Sequence, residues 1–359
     1  MRAARHLLLA CLAALMPGPD ASAQAAWRGV DLSYVNEMED CGAEYRIGST
    51  AGDPYRILAD AGANMVRLRL WHSPDWTSYG TLADVRKSIR RARRAGMQVL
   101  LDLHYSDDWA HPGKQLRPAA WRDAASTADL AMRIHQYTRN TLVELQGDGL
   151  LPDFVAVGNE INTDLLIDAE VAEDAPIDWP RNVVLLNAAI DAVRSVDEIG
   201  IMLHVAQPEN VERWFDAAIE AGIHEFDLIG LSYYPKWSST AFADVEDVIG
   251  HFRQKYGRHV AIVETAYPWT LQGNDPAANL LGEDSLVDGY AATPGGQRRF
   301  LEDLMQAVMD GGGLGIVYWE PAWVSTSCST RWGQGSHWEN AALFDFDNRL
   351  LESAAFLSN

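Results

Sequence analysis

Two carboxylates in this sequence are placed to react together. Glu160 closes the apolar run "FVAVGN" and Glu264 closes "VAIV". A buried carboxyl is costly unless it is paired or used. Two carboxyls about 5–5.5 Å apart on either side of a sugar are what a retaining glycosidase needs. One stays protonated and gives its proton to the leaving oxygen; the other stays ionised and attacks the anomeric carbon. Their surroundings must separate the two pKa values. Arg69 is expected to be the cation that holds Glu264 ionised, and Tyr233 to donate its hydroxyl to the same carboxylate. Glu160 has the amide of Asn159 beside it and no obvious cation, which suits a proton donor.

These residues need a frame. Short apolar strands are expected at 28–35, 64–71, 98–105, 153–160, 200–207, 227–235, 259–266 and 314–321, with helical patterns between them. Strands that alternate in this way with helices predict an α/β fold, a single (β/α)8 TIM barrel. A doubly wound open sheet is the other arrangement, but its G-x-G-x-x-G signature is absent after the first strand. In a barrel the C-terminal strand ends form the active face. Here they carry Asp31, Arg67 and Arg69, Asp102 and His104, Asn159 and Glu160, His204 and Gln207, Ser232 with Tyr233 and Tyr234, Glu264, and Trp319 with Glu320. One such group could be a satisfied core residue, and His104 or His204 alone reads equally well that way. Polar or aromatic residues at every strand end point to a binding mouth. Strands 4 and 7 oppose each other in an eight-stranded ring, so Glu160 and Glu264 can face across it. Asn159 and Glu160 are adjacent and cannot both face the mouth from a regular strand. A bend at Gly158 is therefore expected.

The tryptophans suggest the ligand. Of 13 Trp, nine fall at strand ends or in the segments after them: Trp71, Trp76, Trp109, Trp237, Trp269, Trp319, Trp323, Trp332 and Trp338. Flat indoles suit the C–H faces of pyranoses, although any single Trp is as readily core packing. Asp107 and Asp108 read equally as a solvated turn. The basic run at 86–94 reads as a solvated helix face.

The chain has 359 residues and a net charge of −21, which argues against nucleic acid and anionic membranes as partners and favours a neutral one. Arg2 and Arg5, the apolar run 7–16 and "ASA" at 21–23 read as a signal peptide over 1–23, leaving a catalytic barrel over 24–359. The protein is expected to be exported, periplasmic or extracellular, and monomeric. Cys41 and Cys328 then remain, suggesting one disulfide, with two free thiols as the alternative. No Cys-x-x-Cys or His-Glu-x-x-His pattern suggests zinc.

The stretches "RGVDLSYVNEME", "GANMVRLRLWHSP", "LLDLHYSDDWAHPGKQ", "VAVGNEIN", "DLIGLSYYPKW", "AIVETAYPW", "YWEPAW" and "WENAALFDF" together resemble glycoside hydrolase family 53, the arabinogalactan endo-β-1,4-galactanases. The resemblance implies a retaining hydrolase of β-1,4-galactan, the type I arabinogalactan of pectin side chains, with Glu160 as acid/base and Glu264 as nucleophile. It makes Asn159 the partner of the sugar 2-hydroxyl and Trp319 the platform under the reacting sugar. Asp31, Arg69, His104 and Tyr233 match positions around that sugar, and Trp109 and His204 are expected to join them. No cofactor is implied for the chemistry. Some bacterial members bind a structural calcium in the loop after strand 7. Asn274, Asp275 and Asn279 could supply oxygens there, but the histidine of those sites is missing from that loop. The implied barrel closure also brings the segments of Cys41 and Cys328 together. Two rivals stand beside this reading: a related retaining glycanase acting on mannan or glucan, and a non-catalytic sugar-binding protein. The second would have no need of an opposed carboxyl pair.

Overall fold

The computed structural model describes residues 26–358. The segment read as a signal peptide, 1–23, lies outside the described residues.

Eight parallel strands close into a barrel: β1 (Trp27–Asp31), β2 (Met65–Leu70), β3 (Gln98–Leu103), β4 (Phe154–Val157), β5 (Gly200–Ala206), β6 (Leu228–Ser232), β7 (His259–Thr265) and β8 (Gly315–Tyr318). Each pairs with its neighbours in chain order, and β8 closes on β1 with Trp27 opposite Gly315. Residues alternate between the two faces of a strand. The outward set packs against the surrounding helices. The inward set divides in two. Trp27, Met65, Leu100, Ala156, Met202, Leu228, Ala261 and Val317 make an apolar plug at the N-terminal end. Further along the strands, Arg67, Asp102 and His204 make a buried polar layer instead.

Two irregularities aim the carboxylates. On β7, Ile262 pairs with Leu231 but Glu264 pairs with Ser232, so one extra residue is taken up at Val263. This bulge turns Glu264 into the barrel beside Val263. On the opposite side β4 stops at Val157, three residues short of the expected end. The expected bend is at Gly158, with φ +97°, and Glu160 is also left-handed, at +46°. A Cβ on Gly158 would meet Ile161 Cγ2 at 2.4 Å, so both conformation and space require glycine.

The segments after the strands are long. The one after β1 holds a helix, Val35–Asp40, and a small hairpin; the one after β8 holds the hairpin Ser329–Thr330/Gly333–Gln334. Cys41 and Cys328 join these two segments in a disulfide with Cα atoms 5.6 Å apart. The helix Leu82–Arg94 is not merely a solvated basic face. Arg91 is buried on Tyr55 and pairs with Glu39 at 2.6 Å and Asp53 at 2.9 Å. The expected last helix is a 3-10 helix, Glu352–Ser358. No helix among the described residues is long and apolar enough to cross a membrane.

Candidate active site

Glu160 and Glu264 face each other at the mouth, with one carboxylate oxygen of each, and a ring nitrogen of His204, all within 4.8 Å of one another. Burial pushes both carboxyls above the usual carboxylate range, and the nearby Glu160 charge raises Glu264 further. The pair therefore titrates as a unit and holds one proton near neutrality. Contacts decide where that proton sits. Glu264 Oε1 is 2.8 Å from Arg67 Nη2, and its Oε2 accepts the Tyr234 hydroxyl at 3.1 Å. Both favour the ionised form. Among the described residues Glu160 has no ion pair; its Oε1 accepts from Ser232 Oγ at 2.5 Å. The proton belongs to Glu160.

Arg67 is the hub of the polar layer. It is fully buried and reaches Asp31 at 2.7 Å, Asp102 at 2.8 Å, Glu264 at 2.8 Å and the Asn159 amide oxygen at 2.6 Å. Burial alone would raise Asp102, but Arg67 and then His104, 2.9 Å away, bring it down to about 2. His104 is kept neutral by burial, and its Nδ1 accepts the Ala110 N–H. Asn159 is held at both ends, its Nδ2 donating to Ala110 O at 2.8 Å. One Nδ2 hydrogen is left for a ligand. Gln115 fastens the turn by donating to the carbonyls of Asn159 and Glu160.

The cation and the tyrosine expected at Glu264 are each displaced. Arg67, not Arg69, pairs with Glu264. Arg69 lies two residues further along β2, where Tyr34, Trp71 and Trp109 surround its guanidinium at 4.1–4.8 Å and Glu320 is 3.7 Å away. Burial and then Asp31 push Glu320 well above the usual carboxylate range. Tyr234, not Tyr233, donates to the Glu264 carboxylate. Tyr233 points outward and its hydroxyl donates to Thr240 O at 3.3 Å. Counting in twos from the inward Leu228 and Ser232 reaches Tyr234, a signal already present in the sequence.

Of the residues expected to touch substrate, Trp109, Asn159 and Trp319 line the cleft. Asp31, Arg69, His104 and His204 do not: they are buried below it. Asp31 spends its oxygens on Arg67 and Ser33, and His204 spends both ring nitrogens on Glu160 N–H and Ser232 Oγ. They hold the groups that line the cleft. The cleft, about 920 Å³, continues past Trp237, Trp323, Trp332 and Trp338. Trp269 packs on Phe346 instead, and Trp71 is buried behind Trp76 and Trp109. Glu173, Asp174 and Glu209 also line the cleft, with Arg213 among them. Asp107 and Asp108 are tied down rather than solvated, Asp107 by the N–H groups of Ser73 and Ala119, Asp108 by Lys114 and Arg331.

Side-chain oxygens gather where the loops after β7 and β8 meet. Asn279 Oδ1 and Glu339 Oε2 are buried oxygens without hydrogen-bond partners. Asp275 accepts from the N–H groups of Ala277 and Ser336. Hard oxygens of this kind suit calcium. The side-chain oxygens that meet there belong to Asp275, Asn279 and Glu339; Asn274 contributes its backbone N–H to Glu339.

The glycosyl hydrolase family 53 model matches residues 27–357. An arabinogalactan endo-β-1,4-galactanase of Cellvibrio japonicus is 48% identical over 334 residues, 92% of this chain and 89% of the relative. The family 53 catalytic domain of Ignisphaera aggregans superposes with a TM-score of 0.84 at 34% identity, covering 92% of this chain and 94% of that one. A fungal β-1,4-galactanase structure does so with a TM-score of 0.79 at 28% identity, covering 94% and 100%. With the opposed carboxyls, the aromatic cleft and the closed barrel, the match runs through the whole described chain, which belongs to glycoside hydrolase family 53.

Proposed function

We propose that this protein is an exported, monomeric endo-β-1,4-galactanase that cleaves the galactan of type I arabinogalactan with retention of configuration. The single observation that carries this reading is the Glu160–Glu264 pair. One oxygen of each lies within 4.8 Å of the other, closer than the roughly 6.5–9.5 Å between carboxyl groups that leaves room for an inverting water. The galactanase activity of the Cellvibrio japonicus relative supports the substrate. Export rests on the composition of residues 1–23.

A Glu264 carboxylate oxygen attacks the anomeric carbon as the glycosidic C–O bond breaks, and Glu160 gives its proton to the departing oxygen. Ionised Glu160 then takes a proton from water. The water oxygen attacks the same carbon, breaks the bond to Glu264 and leaves Glu160 protonated again. Arg67 and Tyr234 stabilise Glu264 as it leaves. Asn159 holds its free N–H toward the sugar, and Trp319 and Trp109 pack on its apolar face. A calcium ion held by Asp275, Asn279 and Glu339 would fasten two outer loops and take no part in these steps.

Incubation with linear galactan should release new reducing ends of several lengths. Glu264→Ala should abolish this, and azide should then give an α-galactosyl azide; Glu160→Ala should give the β-azide. Crossed products would reverse the roles, and cleavage of mannan or glucan in preference to galactan would sink the substrate assignment. Calcium should raise Tm by a few degrees and leave kcat unchanged; equal melting with calcium and with chelator would remove that ion.

A further inference from the structure

Ser232 takes no part in the bond-making steps described so far, yet it makes the shortest contact to Glu160. It ends β6, is fully buried, and its Oγ is 2.5 Å from Glu160 Oε1 and 2.9 Å from His204 Nε2. His204 in turn accepts the backbone N–H of Glu160 at Nδ1, at 3.4 Å. One histidine thus grips Glu160 twice, once at its left-handed backbone and once through a serine at its carboxyl.

The direction of each hydrogen bond follows. His204 is neutral, because burial and Arg67 hold it down at about 3. A neutral imidazole carries one N–H. Nδ1 is accepting from the Glu160 amide, so the hydrogen is on Nε2 and is donated to Ser232 Oγ. Ser232 then has its own hydrogen to place, and Glu160 Oε1 receives it. Oε1 is an acceptor throughout.

We propose that Ser232, oriented by His204, is a positioning residue that keeps the acid proton of Glu160 on Oε2, the oxygen free to face the glycosidic bond. The proposal rests on the reading of Glu160 as acid/base. In the first step the proton leaves Oε2 for the departing sugar oxygen, and the Ser232 hydrogen bond to Oε1 strengthens as negative charge appears. In the second step the charged carboxylate takes the water proton back at Oε2. Ser232 never transfers its own hydrogen. Without it, the proton can rest on either oxygen and the ionised form loses a donor, so the apparent pKa of the acid rises. The other groups that act on Glu160 stay in place: Arg67 on β2, Asp102 on β3, Glu264 on β7, Tyr234 after β6, and Glu173 on the loop after β4.

The test is Ser232→Ala beside Ser232→Thr, which retains the hydroxyl, with Tm recorded for both. On linear galactan, Ser232→Ala should lower kcat by about 10–100-fold with KM changed less than about two-fold, and move the basic limb of the pH profile upward. Ser232→Thr should restore both. A galacto-oligosaccharide with a dinitrophenolate leaving group departs without a proton, so its kcat/KM should fall less than about three-fold. An unshifted basic limb, or equal losses on the two substrates, would overturn the proposal. Wild-type enzyme that leaves galactan uncut would instead overturn the proposed function.

Discussion

Arg67 and Arg69 sit two residues apart on β2, face the same side and are equally buried, at 1% and 2% exposure. Their surroundings differ completely. Arg67 meets three carboxylates and an amide oxygen, and every one of them is held by it. Arg69 is enclosed by three aromatic rings and has one distant carboxyl, with Nε and Nη2 left without partners. One is the shared counterion of Asp31, Asp102 and Glu264. The other is a flat, charged spacer that keeps Trp109 and Tyr34 in position under the cleft. A buried charge takes its meaning from what it touches, and that is decided by depth along the strand.

Replacing Arg67 should have the largest effect. Arg67→Met leaves Asp31, Asp102 and Glu264 facing one another without a cation. Stability should drop by about 3–5 kcal/mol and kcat by about 10³-fold or more, read by melting and galactan assays. Wild-type activity in this variant would break the distinction between the two arginines.

Titration of the pair should come next. The coupled pair is raised by burial from an ordinary 4.5 to about 7 or above, so the folded state binds its proton more tightly across that window. A carboxyl raised in this way lowers stability as pH rises through that window. Glu160→Gln carries no charge to bury, so it should gain roughly 1–3 kcal/mol relative to wild type between pH 5 and pH 8. A stability difference that is flat with pH would show that Arg67 already compensates the second charge.

Arg69→Met should have the smallest effect. The apolar chain can fill the ring box, and Glu320 can remain protonated there. A loss of kcat of about ten-fold or less is expected, with KM affected as much as kcat. A loss as deep as that of Arg67→Met would make Arg69 part of the same electrostatic unit.

The same pair marks what was legible beforehand. Strand positions, the barrel and the polar strand ends follow from patterns of apolar residues, and Gly158 betrayed its own bend. The choices between Arg67 and Arg69, and between Tyr233 and Tyr234, depend on register and depth. Period-two counting along β6 reaches Tyr234. It fails on β7, where the bulge at Val263 is invisible in "VAIVE" and decides that Glu264 faces inward. Ser232 was visible as a strand-end residue, but its role needs His204 beside it, and 28 residues separate the two in the chain.

The Cys41–Cys328 bond spans a sequence separation of 287 residues. Seven of the eight strands therefore lie inside one covalent ring. A single cut in any outer loop between these cysteines opens the ring without releasing a piece, so a nicked molecule keeps its mass until it is reduced. New chain ends could be opened at such a loop with the old ends still tethered through the bridge.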